Sequence, residues 1–148
     1  MFMKRTASAV WSGALRDGKG TISTQSGVLK DSPYTFKARF EDESGKSATN
    51  PEELIAAAHA SCFTMQLSHF LAEAGHPAAK LTTSAEVTIG PVEGRGNTIT
   101  KSALTLRGDV PGMNDTQFQE LAAKAKAGCP VSRALGAIEV TLDAKLEG

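Results

Sequence analysis

Between residues 50 and 77 the sequence spells out one long helix, and no other stretch limits the fold as strongly. Asn50 is a good N-cap, Pro51 suits the first helical position, and Glu53 stands where a capping-box partner belongs. Glu52 and Glu53 complement the positive end of the helix dipole. Leu54, Ala58, Phe63, Leu67, Phe70 and Leu71 carry the helical pattern on, until Gly75 and then His76-Pro77 stop it. The span is about 24 residues, or roughly 36 Å of helix. That is long for a chain of 148 residues, and its middle is mostly alanine.

Strands flank this helix. Before it, residues 6–11, 21–29 and 34–40 read as strands, separated by a turn rich in glycine (Gly13, Gly18, Gly20). Tyr34, Phe36, Ala38 and Phe40 alternate along the third, so Arg39 is expected to point away from their aromatic face. A polar loop, EDESGKSATN, leads into the helix. After it come strands at 81–89 and 98–110, joined by PVEGRGN. A helix then runs from Asn114 or Asp115 to about Ala127, where Gly128 breaks it, and Pro130 opens a short further helix. Ile138, Val140, Leu142, Ala144 and Leu146 close the chain as a strand. The order β3-α-β2-α-α-β, with most strands at hairpin distance, predicts an α+β fold and not a doubly wound sheet. With no internal repeat and no low-complexity linker, residues 1–148 are expected to form a single domain able to bury its own core.

Composition excludes several classes of function. Lysine and arginine total 16 against 16 acidic residues, so no net positive field recruits nucleic acid, and aromatics at 5% provide little base-stacking surface. The N-terminal stretch lacks the continuous apolar segment of a secretory signal, and no apolar run approaches the roughly 20 residues of a membrane span. A soluble cytoplasmic protein is expected. In a reducing cytosol its two cysteines would pair only transiently.

Three local patterns need weighing. GALRDGKG spaces Gly13, Gly18 and Lys19 like a phosphate-binding loop, but Gly20 replaces the Ser or Thr and a strand follows, so a glycine-rich hairpin turn is the better reading. His59 and Cys62 share a helix face, and His69 lies two turns beyond Cys62, too far for one ion to bridge. No further ligand completes a metal site, and no cofactor is expected. His76 is a helix-end residue. Cys62, mid-helix among apolar neighbours, reads by position as structural. Cys129, followed by Pro130 at a helix start, reads as the more reactive thiol and the local candidate for the nucleophile.

TNPEELIAAAHASCFTM and, much later, KAGCPVSRAL resemble the OsmC/Ohr family of thiol peroxidases, the OsmC branch more closely. GKGTISTQSGVL, SPYTFKARFE and VPGMN extend the likeness over nearly the whole chain. The resemblance implies antiparallel-rich sheets packed on the long helix in an intertwined homodimer. It implies a two-cysteine hydroperoxide reductase with Cys62 as peroxidatic thiol and Cys129 as resolving thiol, reversing the local reading. It further implies that Arg39 (in FKARFE) and Glu52 (in NPEE) complete the site. Alkyl or lipid hydroperoxides would be preferred to hydrogen peroxide, and a dithiol such as a lipoylated protein would be the reductant. OsmC-type naming adds osmotic to oxidative stress. His59 also resembles the OsmC branch, as pocket wall or base, whereas Arg133 matches no motif and stays outside the set.

The set makes chemical sense. A free thiol is a few per cent ionised at neutral pH, and lowering its pKa by two units takes roughly 2.7 kcal/mol. A guanidinium contributes on that scale, and a carboxylate holds its planar fork in place. Two rival readings are an OsmC-like module that binds small apolar ligands without catalysis and a general thiol-disulfide oxidoreductase. The intact Arg39, Glu52, Cys62 and Cys129 argue against the first, and the lack of C-x-x-C against the second. Glu52 and Cys62 lie about 15 Å apart along a continuous helix and differ by roughly 80° in direction. A shared site therefore calls for Glu52 of one subunit beside Cys62 of the other, the two helices crossing near Ala57, where Ala56, Ala57, Ala58 and Ala60 permit close approach.

Overall fold

Strand β1 (Ala7–Ser12) pairs antiparallel with β2 (Lys19–Thr24), which pairs antiparallel with β3 (Ser32–Tyr34). This sheet belongs to the first of two units, Met1–Pro51, in a computed structural model that describes residues 1–147. Gly20 lies beneath the Trp11 and Tyr34 rings, whose centroids are 5.4 Å apart, leaving no room for a side chain. β2 ends at Thr24, short of the expected 29, because the Gly27 amide turns back onto the Thr24 carbonyl with φ +77°.

The expected strand over 34–40 does not form. Its cause is Thr35, an N-cap with extended backbone whose hydroxyl accepts from the Ala38 amide at 3.0 Å, so that Phe36–Phe40 becomes helix α1. Phe36 and Phe40, four residues apart, then bring their rings to 5.2 Å. Arg39 consequently does not face away from the aromatic side: its guanidinium sits 4.9 Å over the Phe40 ring.

In the second unit, which starts at Glu52, helix α2 (Pro51–Glu73) runs unbroken for 23 residues. It ends as its sequence requires, with Gly75 at φ +83°, the Gly75 amide on the Ala72 carbonyl and the His76 amide on the Leu71 carbonyl. Every fourth residue from His59 through Phe63 and Leu67 to Leu71 is fully buried. Strands β4 (Lys80–Val92) and β5 (Gly96–Asp109) form a hairpin longer than expected, because glycines at 94 and 96 with positive φ allow a tight turn. Ser102, Leu104 and Leu106 on alternate positions of β5 enter the same core. Helix α3 (Asp115–Gly128), capped by the Asn114 side chain, adds Phe118, Ala122 and Ala125. It continues through Gly128, one residue past the expected break. Helix α4 (Pro130–Ala134) leads to β6 (Glu139–Glu147), which pairs parallel with β5, Leu142 opposite Leu104. The sheet order is β4-β5-β6, and three of the four strand pairings are antiparallel. The fold is α+β. Among the described residues no helix is long and apolar enough to cross a membrane.

Gly108 shows how closely α3 packs on β5: a methyl group there would come within 2.8 Å of the Phe118 ring. Gly108→Ala is expected to destabilise by about 1–3 kcal/mol. Because the conflict is with one ring, Gly108→Ala/Phe118→Leu should cost less than the sum of the single changes in urea denaturation.

Candidate active site

Two sulfurs that are remote in sequence meet in the second unit. Cys129 Sγ lies 2.9 Å from Cys62 Sγ, and both are free thiols. α2 carries Cys62 one residue before the buried Phe63, at the edge of the core, so it stays partly exposed. Cys129 ends α3 and caps α4; its amide bonds to the Ala125 carbonyl and its side chain is fully buried. A solvent-borne reagent therefore reaches Cys62 and not Cys129.

The two sulfurs differ electrostatically. Burial pushes the Cys62 thiol up, and its contact with Cys129 adds to this. Burial also acts upward on Cys129, but Cys62, the Ser132 amide and hydroxyl and the Val131 amide together bring it below its ordinary value. As a thiol Cys129 makes no side-chain capping bond, so these groups act chiefly on the anion. Within this unit the more acidic sulfur is the hidden one. The pair holds one proton after the first is lost, and 2.9 Å allows either sulfur to carry it.

His59 completes the buried side. Nδ1 is 2.6 Å from Ser102 Oγ and Nε2 is 2.7 Å from Ser132 Oγ, all three residues being buried. Burial holds the ring below its ordinary pKa of 6.5. Both of its nitrogens are thus engaged, and the ring is out of solvent. Ser102 and Ser132 escaped the sequence reading, although both left a signal: Ser102 alternates with Leu104 and Leu106 along β5, and Ser132 lies inside the PVSRAL stretch. His69 instead pairs with Glu73 on the surface at 3.4 Å, and His76 sits at the helix end near the Pro111 carbonyl. Among the described residues no three His, Cys, Asp or Glu side chains cluster as a metal site would need.

Of the four residues implied by resemblance, the structure brings Cys62 and Cys129 together. Glu52 lies on the first turn of α2, 7% exposed. Arg39 belongs to the first unit, where it borders a cavity of about 250 Å³ with Trp11, Leu15, Tyr34, Phe36 and Phe40.

The family model described as OsmC-like protein matches residues 43–143. The chain belongs to the OsmC family. Peroxiredoxin OsmC of Escherichia coli (strain K12) is 49% identical over 147 residues, 99% of each chain. The organic hydroperoxide resistance protein of Xanthomonas axonopodis pv. citri (strain 306) is 38% identical over 101 residues, covering 66% of this chain and 68% of that one. Among solved structures, OhrB of Bacillus subtilis superposes with TM-score 0.72 at 29% identity, covering 95% of this chain and 98% of that one. An organic hydroperoxide resistance protein from Elizabethkingia anophelis gives 0.76 at 28%, covering 99% and 100%. The resemblance read from TNPEELIAAAHASCFTM and KAGCPVSRAL is thereby borne out at the level of OsmC family and fold.

The buried histidine predicts a pH dependence of stability. Its folded pKa lies below 6.5, so beneath that pH the unfolded chain takes up a proton that the folded one refuses. Stability should fall as pH drops from 6.5 toward the folded value. Urea midpoints at stepped pH should show this slope in the wild type and a shallower one in His59→Gln.

Proposed function

We propose that this protein reduces organic hydroperoxides to alcohols, with Cys62 as the peroxidatic and Cys129 as the resolving thiol, in defence against oxidative and osmotic stress. Membership of the OsmC family, with relatives named peroxiredoxin and organic hydroperoxide resistance protein, makes the chain a peroxidase with a hydroperoxide-reducing role. The observation that carries the finer reading is the 2.9 Å approach of a buried sulfur to an accessible one. Peroxide meets Cys62 first, because Cys129 is 0% exposed. The Cys62 thiolate attacks one peroxide oxygen, the O–O bond breaks, and the alkoxide leaves and is protonated to the alcohol. Cys129 then displaces hydroxide from Cys62 sulfenic acid to form the disulfide, before overoxidation.

Since burial raises Cys62 in its own unit, the reading needs a cation to favour the thiolate. Arg39 fills this role, held by Glu52, and residues 1–148 must then work as a single OsmC-like domain. The family likeness favours a hydroperoxide with an apolar part, alkyl or lipid. Hydrogen peroxide, with no such part, would be the poorer substrate. Electrons come from thiols, so no cofactor is required, and a dithiol such as a lipoylated protein would reopen the disulfide. Neither nucleic acid nor membrane enters the scheme, which fits a cytoplasmic enzyme.

A second copy of the chain suits the face of α2 opposite its core. There Ala57, Ser61, Met65 and Ser68 border an open groove of about 780 Å³ against residues 78–83, and Met65 is 75% exposed. The unbroken α2 keeps Glu52 and Cys62 of one chain about 15 Å apart. In the proposed homodimer each site joins Cys62 and Cys129 of one chain to Glu52 of its partner.

One equivalent of cumene hydroperoxide added to reduced protein should consume both thiols and link Cys62 to Cys129 within one chain. Cys62→Ser should consume no peroxide, whereas Cys129→Ser should manage a first turnover and then accumulate sulfenic and sulfinic acid. The reverse pattern would exchange the roles of the two cysteines.

The shared site is tested by unfolding inactive Glu52→Ala and Cys62→Ser proteins and refolding them together. Mixed dimers should regain one good site in two. A monomer in solution, or no recovery, rules the arrangement out.

A further inference from the structure

The chemistry above leaves His59 unused, yet its ring is fully buried and both its nitrogens are engaged. Ser132, which bonds Nε2, is the third residue of α4, the helix that Cys129 caps. Side chains at the cap and third positions of a helix face each other. His59 and Cys62 are likewise three apart on α2 and share a face. Four side chains therefore close a ring: His59 to Ser132 at 2.7 Å, Ser132 beside Cys129 on α4, Cys129 to Cys62 at 2.9 Å, and Cys62 beside His59 on α2. Ser102 on β5 anchors the ring's outer nitrogen at 2.6 Å.

Counting protons separates two versions of this ring. A neutral imidazole donates once and accepts once, and a hydroxyl has a single proton to give. With the proton on Nδ1, Nε2 would take the Ser132 proton, and Ser132 would turn an oxygen lone pair toward the Cys129 sulfur. With the proton on Nε2, the Ser102 hydroxyl donates to Nδ1, the ring donates to Ser132, and the Ser132 hydroxyl stays free for Cys129. Only the second version favours an anionic sulfur. Burial keeps His59 neutral, which either version requires, and the Ser132 hydroxyl is among the groups that favour the Cys129 thiolate.

We propose that His59 is a positioning residue for disulfide formation: as the neutral Nε2–H tautomer it donates to Ser132, whose hydroxyl then holds the Cys129 thiolate against Cys62. This rests on the reading of Cys129 as the resolving thiol. In that step Cys129 gives up its proton and attacks Cys62 Sγ. The S–S bond forms as the S–O bond breaks, and the departing hydroxide leaves with one proton as water. The peroxide already consumed is the only oxidant. Among the described residues of this unit, Cys129 is the titratable group that acts on Cys62, and no charged group acts on His59. The pH dependence of the step therefore reports chiefly on the two sulfurs.

The first test uses the reduced wild-type protein. Nitrogen-15 NMR of its histidines should show His59 neutral and protonated on Nε2 across about pH 7 to 8; a proton on Nδ1 overturns the proposal. The second compares His59→Phe, which fills the ring's volume without nitrogens, with His59→Gln, whose amide N–H can replace Nε2–H, and with Ser132→Ala. Disulfide formation after sulfenic acid has formed should slow about tenfold in the Phe and Ala variants. Its pH profile should move up by about one unit in both, and His59→Gln should recover most of the rate. Equal behaviour of Phe and Gln with an unmoved pH profile would reduce His59 to packing and overturn the proposal. Peroxide consumption by Cys62→Ser would instead overturn the underlying assignment of the cysteines, a result obtained without any His59 variant.

Discussion

A fully buried imidazole in the middle of an apolar ladder constrains the rest of the second unit. His59 occupies the position that Phe63, Leu67 and Leu71 fill at the next three turns. A polar ring left unpaired there would cost several kcal/mol, on the order of the whole stability of a domain. The two serine hydroxyls remove that penalty, but they come from β5 and α4, so strand, long helix and short helix must take up one relative placement. The sulfur contact follows from it. With α4 tied to α2 through Ser132 and His59, Cys129 at the head of α4 falls beside Cys62 on the same face of α2.

Much of this was legible in advance because the signals were local. Asn50, Pro51 and Gly75 marked both ends of α2 within two residues, and Asn114 marked the start of α3. The stretch before α2 misled for an equally local reason. Tyr34, Phe36, Ala38 and Phe40 alternate as in a strand, but Phe36 and Phe40 also stand four apart, and a single hydroxyl on Thr35 decided for helix. The parallel pairing of β6 lay outside any local signal, since alternation tells which residues face inward but not which neighbour a strand chooses. Ser102 was missed because hydrophobic patterning passes over a small hydroxyl; its meaning depends on a histidine more than forty residues away.

Reactivity and acidity part company at the two sulfurs. The local argument for Cys129 as the easier thiol to ionise agrees with its surroundings, yet the family likeness assigns first attack to Cys62. Access reconciles them. A nucleophile must be touched before its pKa matters, and Cys129 has no exposed surface. A hidden, easily ionised sulfur suits a second step whose electrophile is delivered on the neighbouring side chain.

The order of the elements has a consequence for when the chemistry becomes available. Cys62 lies on the first element of its unit, whereas Cys129 sits between α3 and α4, near the end of the same unit. During synthesis the chain exposes Cys62 long before Cys129, the resolving thiol of the proposed mechanism, has been made, and domains acquire their structure as whole units. A peroxide met by the growing polypeptide would leave a sulfenic acid with no partner. Under the proposed roles, competence to survive oxidation is a property of the finished unit and not of its first helix.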